Sequence, residues 1–197
     1  MKSLRLLFAF SLGALLCSSA SAMVAVQGSL LRLINGQDSV YDNYMENYHI
    51  DPVPLIGNWP QNIAPEMHCS YINSMMANDM IDQAYSASNT NHDPNTSVYV
   101  GTVTRGDGNH MWVVVFIVRG GSTVAAYSYD VWTGTRIVLA PTEYAPGQIA
   151  YHVPEVGYVA PNATDLTIVS PDGPSSTVDS HKIRYGQPKP DYFTPMP

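Results

Sequence analysis

The chain has 197 residues, 45% of them hydrophobic, enough for one domain with a core of its own. With 16 acidic residues against 9 basic ones its formal charge is −7, which gives no footing for nucleic acid or an anionic lipid surface. No apolar run beyond the first residues is long enough to span a bilayer.

The opening stretch, "MKSLRLLFAFSLGALLCSSASA", has Lys2 and Arg5 in front, a short apolar middle and an Ala-Ser-Ala ending. It reads as a secretory signal peptide over residues 1–22, cut after Ala22, with a secreted or periplasmic product expected. Loss of Lys2 and Arg5 would take the formal charge from −7 to −9. Of the 2 cysteines, Cys17 would leave with the leader and Cys69 would remain without an internal disulfide partner. A lone thiol in an oxidising compartment is a liability unless it is buried, paired between chains, or used.

Residues 23–58 mix Tyr, Asn, Asp and Pro ("YDNYMENYHIDPVPLIGNWP") with little periodicity. They read as an irregular, surface-wrapping lead-in after a short strand or helix over 24–34. Residues 59–180 read as an α+β domain. From Pro65, Ile72, Met76 and Met80 recur at four-residue steps, with Cys69 three before Ile72. That spacing predicts a helix with all four on one face. "SNTNHDPNTS" at 88–97 is turn chemistry and ends it.

Strands are expected at 98–104, 111–118, 124–129 and 136–140, with weaker ones near 149–153 and 166–169. "RGG" at 119–121 reads as a hairpin turn. "RGD" at 105–107 spells an adhesion motif, but "RGDGN" is also what a tight turn wants. Residues 181–197, with "YGQPKPDYFTPMP", read as a Pro-rich extended tail with nothing to bury, so substitutions beyond Gln187 are expected to be silent.

The chemistry lies in the order of three elements: a helix starting near Cys69, a strand starting at His110 and a strand ending at Asp130. A thiol near a helix N-terminus is favoured as thiolate by the macrodipole. A base at the start of a neighbouring strand and a polar group that fixes its tautomer complete a nucleophilic unit. From His110 to Asp130 is one strand, a hairpin turn and a return strand, a register that sets the two side chains together. Such a unit also requires an opening through which substrate reaches the sulfur.

"HMWVVVFIVRGGSTVAAYSYDVWTGTRIVLAPTEY" resembles the second half of papain-like cysteine peptidases of the bacteriocin-processing-peptidase-like group, and "CSYINSMMANDMI" resembles their nucleophile helix. "HMWVVVF" is also similar to the His strand of transglutaminase-like cysteine hydrolases. The resemblance covers roughly residues 59–145. It implies a papain-like core, with one nucleophile helix packed on an antiparallel sheet, and a peptidase or amidase working through an acyl-enzyme. Carried over by position, it makes Cys69 the nucleophile, His110 the base and Asp130 the orienting acid. Gln61 becomes the candidate oxyanion donor, with Asn62 as the alternative. Ser70 and Tyr71 stand where that family has small residues, which would set bulk beside the nucleophile.

Each of these residues also has a plain structural role. Cysteine on the apolar face of a Met-rich helix serves as a small buried hydrophobe. A histidine can simply begin a strand, and an aspartate before "VWTG" can simply open a turn. The six histidines show no zinc-ligand spacing, and neither a metal nor another cofactor is expected. The expected partner of a monomeric enzyme is a peptide or protein substrate. The other reading is a non-catalytic exported protein, binding a protein or carbohydrate ligand on a β-rich scaffold.

Overall fold

The computed structural model describes residues 27–48, 65–108, 110–173 and 175–194. Two helices, α1 (27–48) and α2 (Pro65–Asn91), lie on one face of a five-stranded antiparallel sheet. A four-stranded antiparallel sheet covers the other face. The first sheet has the order β4-β3-β2-β1-β9, built from β1 (Thr96–Thr104), β2 (Met111–Arg119), β3 (Ser122–Asp130), β4 (Thr135–Val138) and β9 (Thr177–Arg184). The second runs β5 (Pro141–Ala145), β6 (Gln148–Val153), β7 (Gly157–Pro161) and β8 (Leu166–Pro171) in sequence order. The α+β class and the packing of α2 on an antiparallel sheet agree with the sequence pattern.

β2 explains the layering. Every residue from Met111 to Ile117 is buried, so the strand has no face for solvent. Val113, Val115 and Ile117 pack with the helices, alongside Met76, Met80 and Ile81 of α2 and Tyr129 of β3. Trp112, Val114 and Phe116 point the other way and meet Tyr151, Val153, Val159 and Leu166 of the second sheet. A strand alternates its side chains between the two faces of a sheet, so an unbroken apolar run needs cover on both. Gly120 and Gly121, with φ of 56° and 84°, form the two-residue turn that returns the chain from Arg119 to Ser122. A tight hairpin of this hand requires positive φ, which glycine supplies without steric cost.

The lead-in departs from expectation after residue 34. Residues 27–48 are helical, and Leu33, Gln37, Tyr41 and Tyr44 bury one stripe of that helix against the core. Two of its polar members have partners on α2. Tyr44 donates to Asp79 at 2.8 Å, and Gln37 Nε2 donates to the Met80 carbonyl at 3.4 Å and to Gln83. Tyr129 of β3 donates to Asp38 at 2.9 Å, tying α1 to the sheet as well. The remainder of the expected lead-in, 49–58, lies outside the described residues.

The tail also differs. β9 runs to Arg184 and pairs along β1, so the first part of the expected tail is a sheet strand. Beyond it the chain has no regular structure but is fastened to α2. Asn78 accepts from the Phe193 amide at 2.8 Å and donates to its carbonyl at 3.0 Å. Lys189 and Tyr192 both reach Asp82, at 2.9 and 2.6 Å. The Phe193 ring is buried beside His181. Positions beyond Gln187 are therefore not silent, because an aromatic ring there belongs to the core.

Two substitutions measure this packing. Met76 is wholly buried, and Met76→Asp should leave no soluble protein with a cooperative melt, because it puts an unpaired charge in the core. Phe193→Ala should cost about 3 kcal/mol, read from the urea midpoint, where a free tail would show no change.

Candidate functional site

Three chain segments converge at one end of the first sheet. α2 opens on Pro65 and carries Cys69 in its first turns, with the side chain on the sheet-facing stripe shared by Ile72, Met76 and Met80. Proline is well suited to a first helical turn, where its missing amide has no intrahelical partner to lose. The β1–β2 turn delivers His110. Gly108 donates to the Arg105 carbonyl at 2.8 Å, and Arg105 donates to the His110 carbonyl at 3.0 Å. The RGD tripeptide is thus turn structure, with the Arg105 side chain paired to Asp107 at 2.7 Å and to Glu155 at 3.0 Å. β3 ends at Asp130, one residue past the Tyr129–Val113 pair.

His110 Nε2 meets Asp130 Oδ2 at 2.7 Å, and both side chains are largely shielded, 16% and 10% exposed. Cys69 lies within hydrogen-bonding reach of the same imidazole. The ring is held flat against Trp112, with centroids 5.1 Å apart and planes 29° off parallel. α2 and β2 are also pinned to each other beside the pair. Buried Asn73, one turn after Cys69, donates to the Met111 carbonyl at 2.8 Å.

Asp130 plays both roles that its sequence context allowed. Oδ1 accepts from the amides of Trp132 (3.0 Å) and Thr133 (3.3 Å), which is the turn-opening role. Oδ2 accepts from Thr133 Oγ1 at 2.6 Å as well as from His110. An ionised carboxylate has about four acceptor positions, and here all are in use.

The electrostatics follow from those contacts. Burial opposes a charge on His110, but the hydrogen bonds to Asp130 and Cys69 outweigh it and lift the imidazole from 6.5 to about 9. Burial likewise opposes ionisation of Asp130, and the bonds from His110 and Thr133 overcome it, holding that carboxyl below its usual range. At neutral pH the two form a charged, oriented pair.

A groove of about 490 Å³ opens on this pair, between the β3–β4 end of the first sheet and the β6–β7 turn of the second. His110 and Asp130 line it together with Trp112, Trp132, Ile137 and Pro154. Cys69 is only 3% exposed and does not line the groove. The expectation of an open thiol is not met. The bulk of Tyr71 is no obstacle, however, since that side chain points outward and is 51% exposed.

Of the expected site residues, Cys69, His110 and Asp130 come together, whereas Gln61 and its alternative Asn62 lie outside the described residues. Thr133, Trp112 and Asn73 went unread. The first had a signal in "DVWT", since an aspartate three before a threonine commonly closes its own turn. Asn73 was a polar residue beside an otherwise apolar helix stripe. No group of three or more His, Cys, Asp or Glu side chains that could hold a metal ion occurs among the described residues. Comparisons with family models, with curated proteins and with solved structures find no match to this chain.

The pair has a measurable signature. In an NMR titration His110 should lose its proton near pH 9, and in Asp130→Asn this should fall toward 6.5. A folded value above the unfolded one means that the stabilisation is complete below about pH 6.5 and disappears as pH climbs through about 9. The melting temperature should therefore decline across that window, and the decline should flatten in His110→Gln.

Proposed function

We propose that this chain is a secreted or periplasmic cysteine hydrolase that cleaves a peptide or amide bond through an acyl-enzyme on Cys69. The observation that carries the reading is the position of His110, bonded to Asp130 and within reach of Cys69. Three elements separated along the chain are needed to produce it. The order Cys, His, Asp and the helix, strand, strand carriers match the resemblance to papain-like peptidases.

In this reading His110 already holds the proton of the pair at neutral pH, and the Cys69 sulfur adds to the substrate carbonyl beside that imidazolium. The imidazolium then gives its proton to the departing amine, leaving a thioester on Cys69. Water, deprotonated by His110, adds to the thioester, and the acid and the free thiol are released. Asp130 keeps the ring in one orientation and stabilises its charged form throughout. Gln61 or Asn62 is the proposed donor to the carbonyl oxygen. Residues 1–22 are the proposed export signal, and mature protein should begin at Met23 by intact mass.

A second reading is favoured by one observation, the sheltered sulfur beside a tryptophan-walled groove. It is a non-catalytic exported protein that binds a protein or carbohydrate ligand there, with Cys69 as a core residue.

Alkylation by iodoacetamide separates the two. If Cys69 of the native protein reacts at pH 7 and slows at least about tenfold in His110→Ala, the hydrolase reading stands. Reaction only after denaturation favours the binding protein. For an enzyme, turnover should fall on the order of 10²- to 10⁴-fold in His110→Ala. It should also decline as pH rises through about 9, where the imidazolium that protonates the leaving amine is lost.

A further inference from the structure

The groove beside His110 has two properties that together define what fits it. Trp112, Trp132, Ile137 and Pro154 give it an apolar stretch of wall, beside the hydroxyls of Ser128, Thr133 and Thr135. Its charges are already spoken for. Arg105 is bonded to Glu155 at 3.0 Å, and His110 to Asp130 at 2.7 Å, so among the described residues the four charged side chains of the lining pair off within it. Among those residues an entering charge would find no unpaired counter-ion, whereas an apolar or aromatic group would find apolar faces to pack on. About 490 Å³ is within the range of small-molecule sites and holds one large side chain with its backbone.

Its position assigns the side of the scissile bond. The groove is lined by His110 and Asp130 but not by Cys69. In thiol acyl transfer the acyl carbon is bound to sulfur, and the departing nitrogen must come to the imidazole that protonates it. What lies on the histidine's flank, away from the sulfur, is the leaving group.

We infer that this groove receives the leaving-group side of the substrate and selects a residue with a neutral, large apolar side chain, aromatic above all, directly after the bond that is cut. The inference rests on the hydrolase reading and adds a specificity that the reading does not contain. Thr133 and Thr135 lie along the same groove, with the Thr133 hydroxyl committed to Asp130 and Thr135 exposed at the rim.

The test uses phenylalaninamide, glycinamide and aspartic acid diamide as leaving-group mimics, on the full chain. In Cys69→Ala, phenylalaninamide should shift the indole N–H resonances of Trp112 and Trp132 at least about tenfold more tightly than the other two. Ile137→Glu should abolish the shift. Because Ile137 is partly buried, Thr135→Arg, at an exposed rim position, provides a second variant that should weaken it in a protein with unchanged melting temperature. In wild type, Cys69 is acylated with p-nitrophenyl acetate and the amines compete with water for the thioester. The thioester C–S bond breaks, an amide C–N bond forms, and the amine proton passes through His110 to the sulfur. Phenylalaninamide should capture the acetyl group at least about tenfold more efficiently than glycinamide, and Thr135→Arg should erase that preference. If Cys69 is acylated but phenylalaninamide neither binds nor captures preferentially, the inference alone fails. Tight binding with equal capture overturns the leaving-group assignment. If Cys69 cannot be acylated, the hydrolase reading fails and the assignment goes with it.

Discussion

β2 is the constraint on which the remaining structure depends. A strand with seven consecutive buried residues leaves the chain no option of a wet face. One side must be covered by the helices and the other by the second sheet. At about 1.5–3 kcal/mol for each large apolar side chain buried, leaving either face open would forfeit an amount comparable to the net stability of a typical domain. The price is paid at the strand's ends, where polar groups must appear as soon as cover stops. His110 stands at one of these ends, at the boundary between core and solvent. A partner-stabilised imidazolium is tolerable there, and deeper in the core it would not be.

The same boundary explains why Asp130 is bonded four ways. A turn-opening aspartate normally has spare acceptor capacity, which water fills. Here the turn amides and Thr133 fill three positions, and the fourth faces His110 at 2.7 Å. The carboxylate therefore cannot swing toward another partner without breaking its own turn. Orientation of the histidine is a by-product of local turn chemistry, and that makes it rigid. The plain structural reading of Asp130 and the chemical one are the same set of hydrogen bonds.

What the sequence made legible follows from how each element is stabilised. α2 shows itself because aliphatic and sulfur side chains fill its buried stripe at helical spacing. α1 does not, because its stripe is Leu33, Gln37, Tyr41 and Tyr44, mostly polar-ended residues, and Gln37 and Tyr44 find their partners on α2, far along the chain. β1 to β4 were readable from apolar runs and glycine turns. β5, β7 and β9 were not, since short strands with one buried face carry few apolar positions. β9 in particular joins β1 mainly through backbone pairing, with Ile183 as its buried anchor. The fastening of Phe193 to Asn78 joins positions 115 residues apart, which no local pattern encodes. Within the site, Cys69, His110 and Asp130 were legible because element order limits which side chains can meet. The support given by Asn73 and Trp112 depends on three-dimensional register and was not.

Burial of the site cuts in two directions. A shielded charge pair is costly to assemble, yet removing one partner strands the other, typically at several kcal/mol. The His110–Asp130 pair therefore resists piecemeal loss, and Thr133 and the turn amides reinforce it. The thiol beside it is under the opposite pressure. A sulfur kept 3% exposed is protected from chance oxidation, but under the hydrolase proposal a carbonyl carbon must still come within bonding distance of it. The site reconciles the two by leaving the imidazole, not the sulfur, on the wall of the groove. Under the hydrolase proposal a substrate seated there meets the imidazole first, and its carbonyl must be brought around the ring to reach the sulfur.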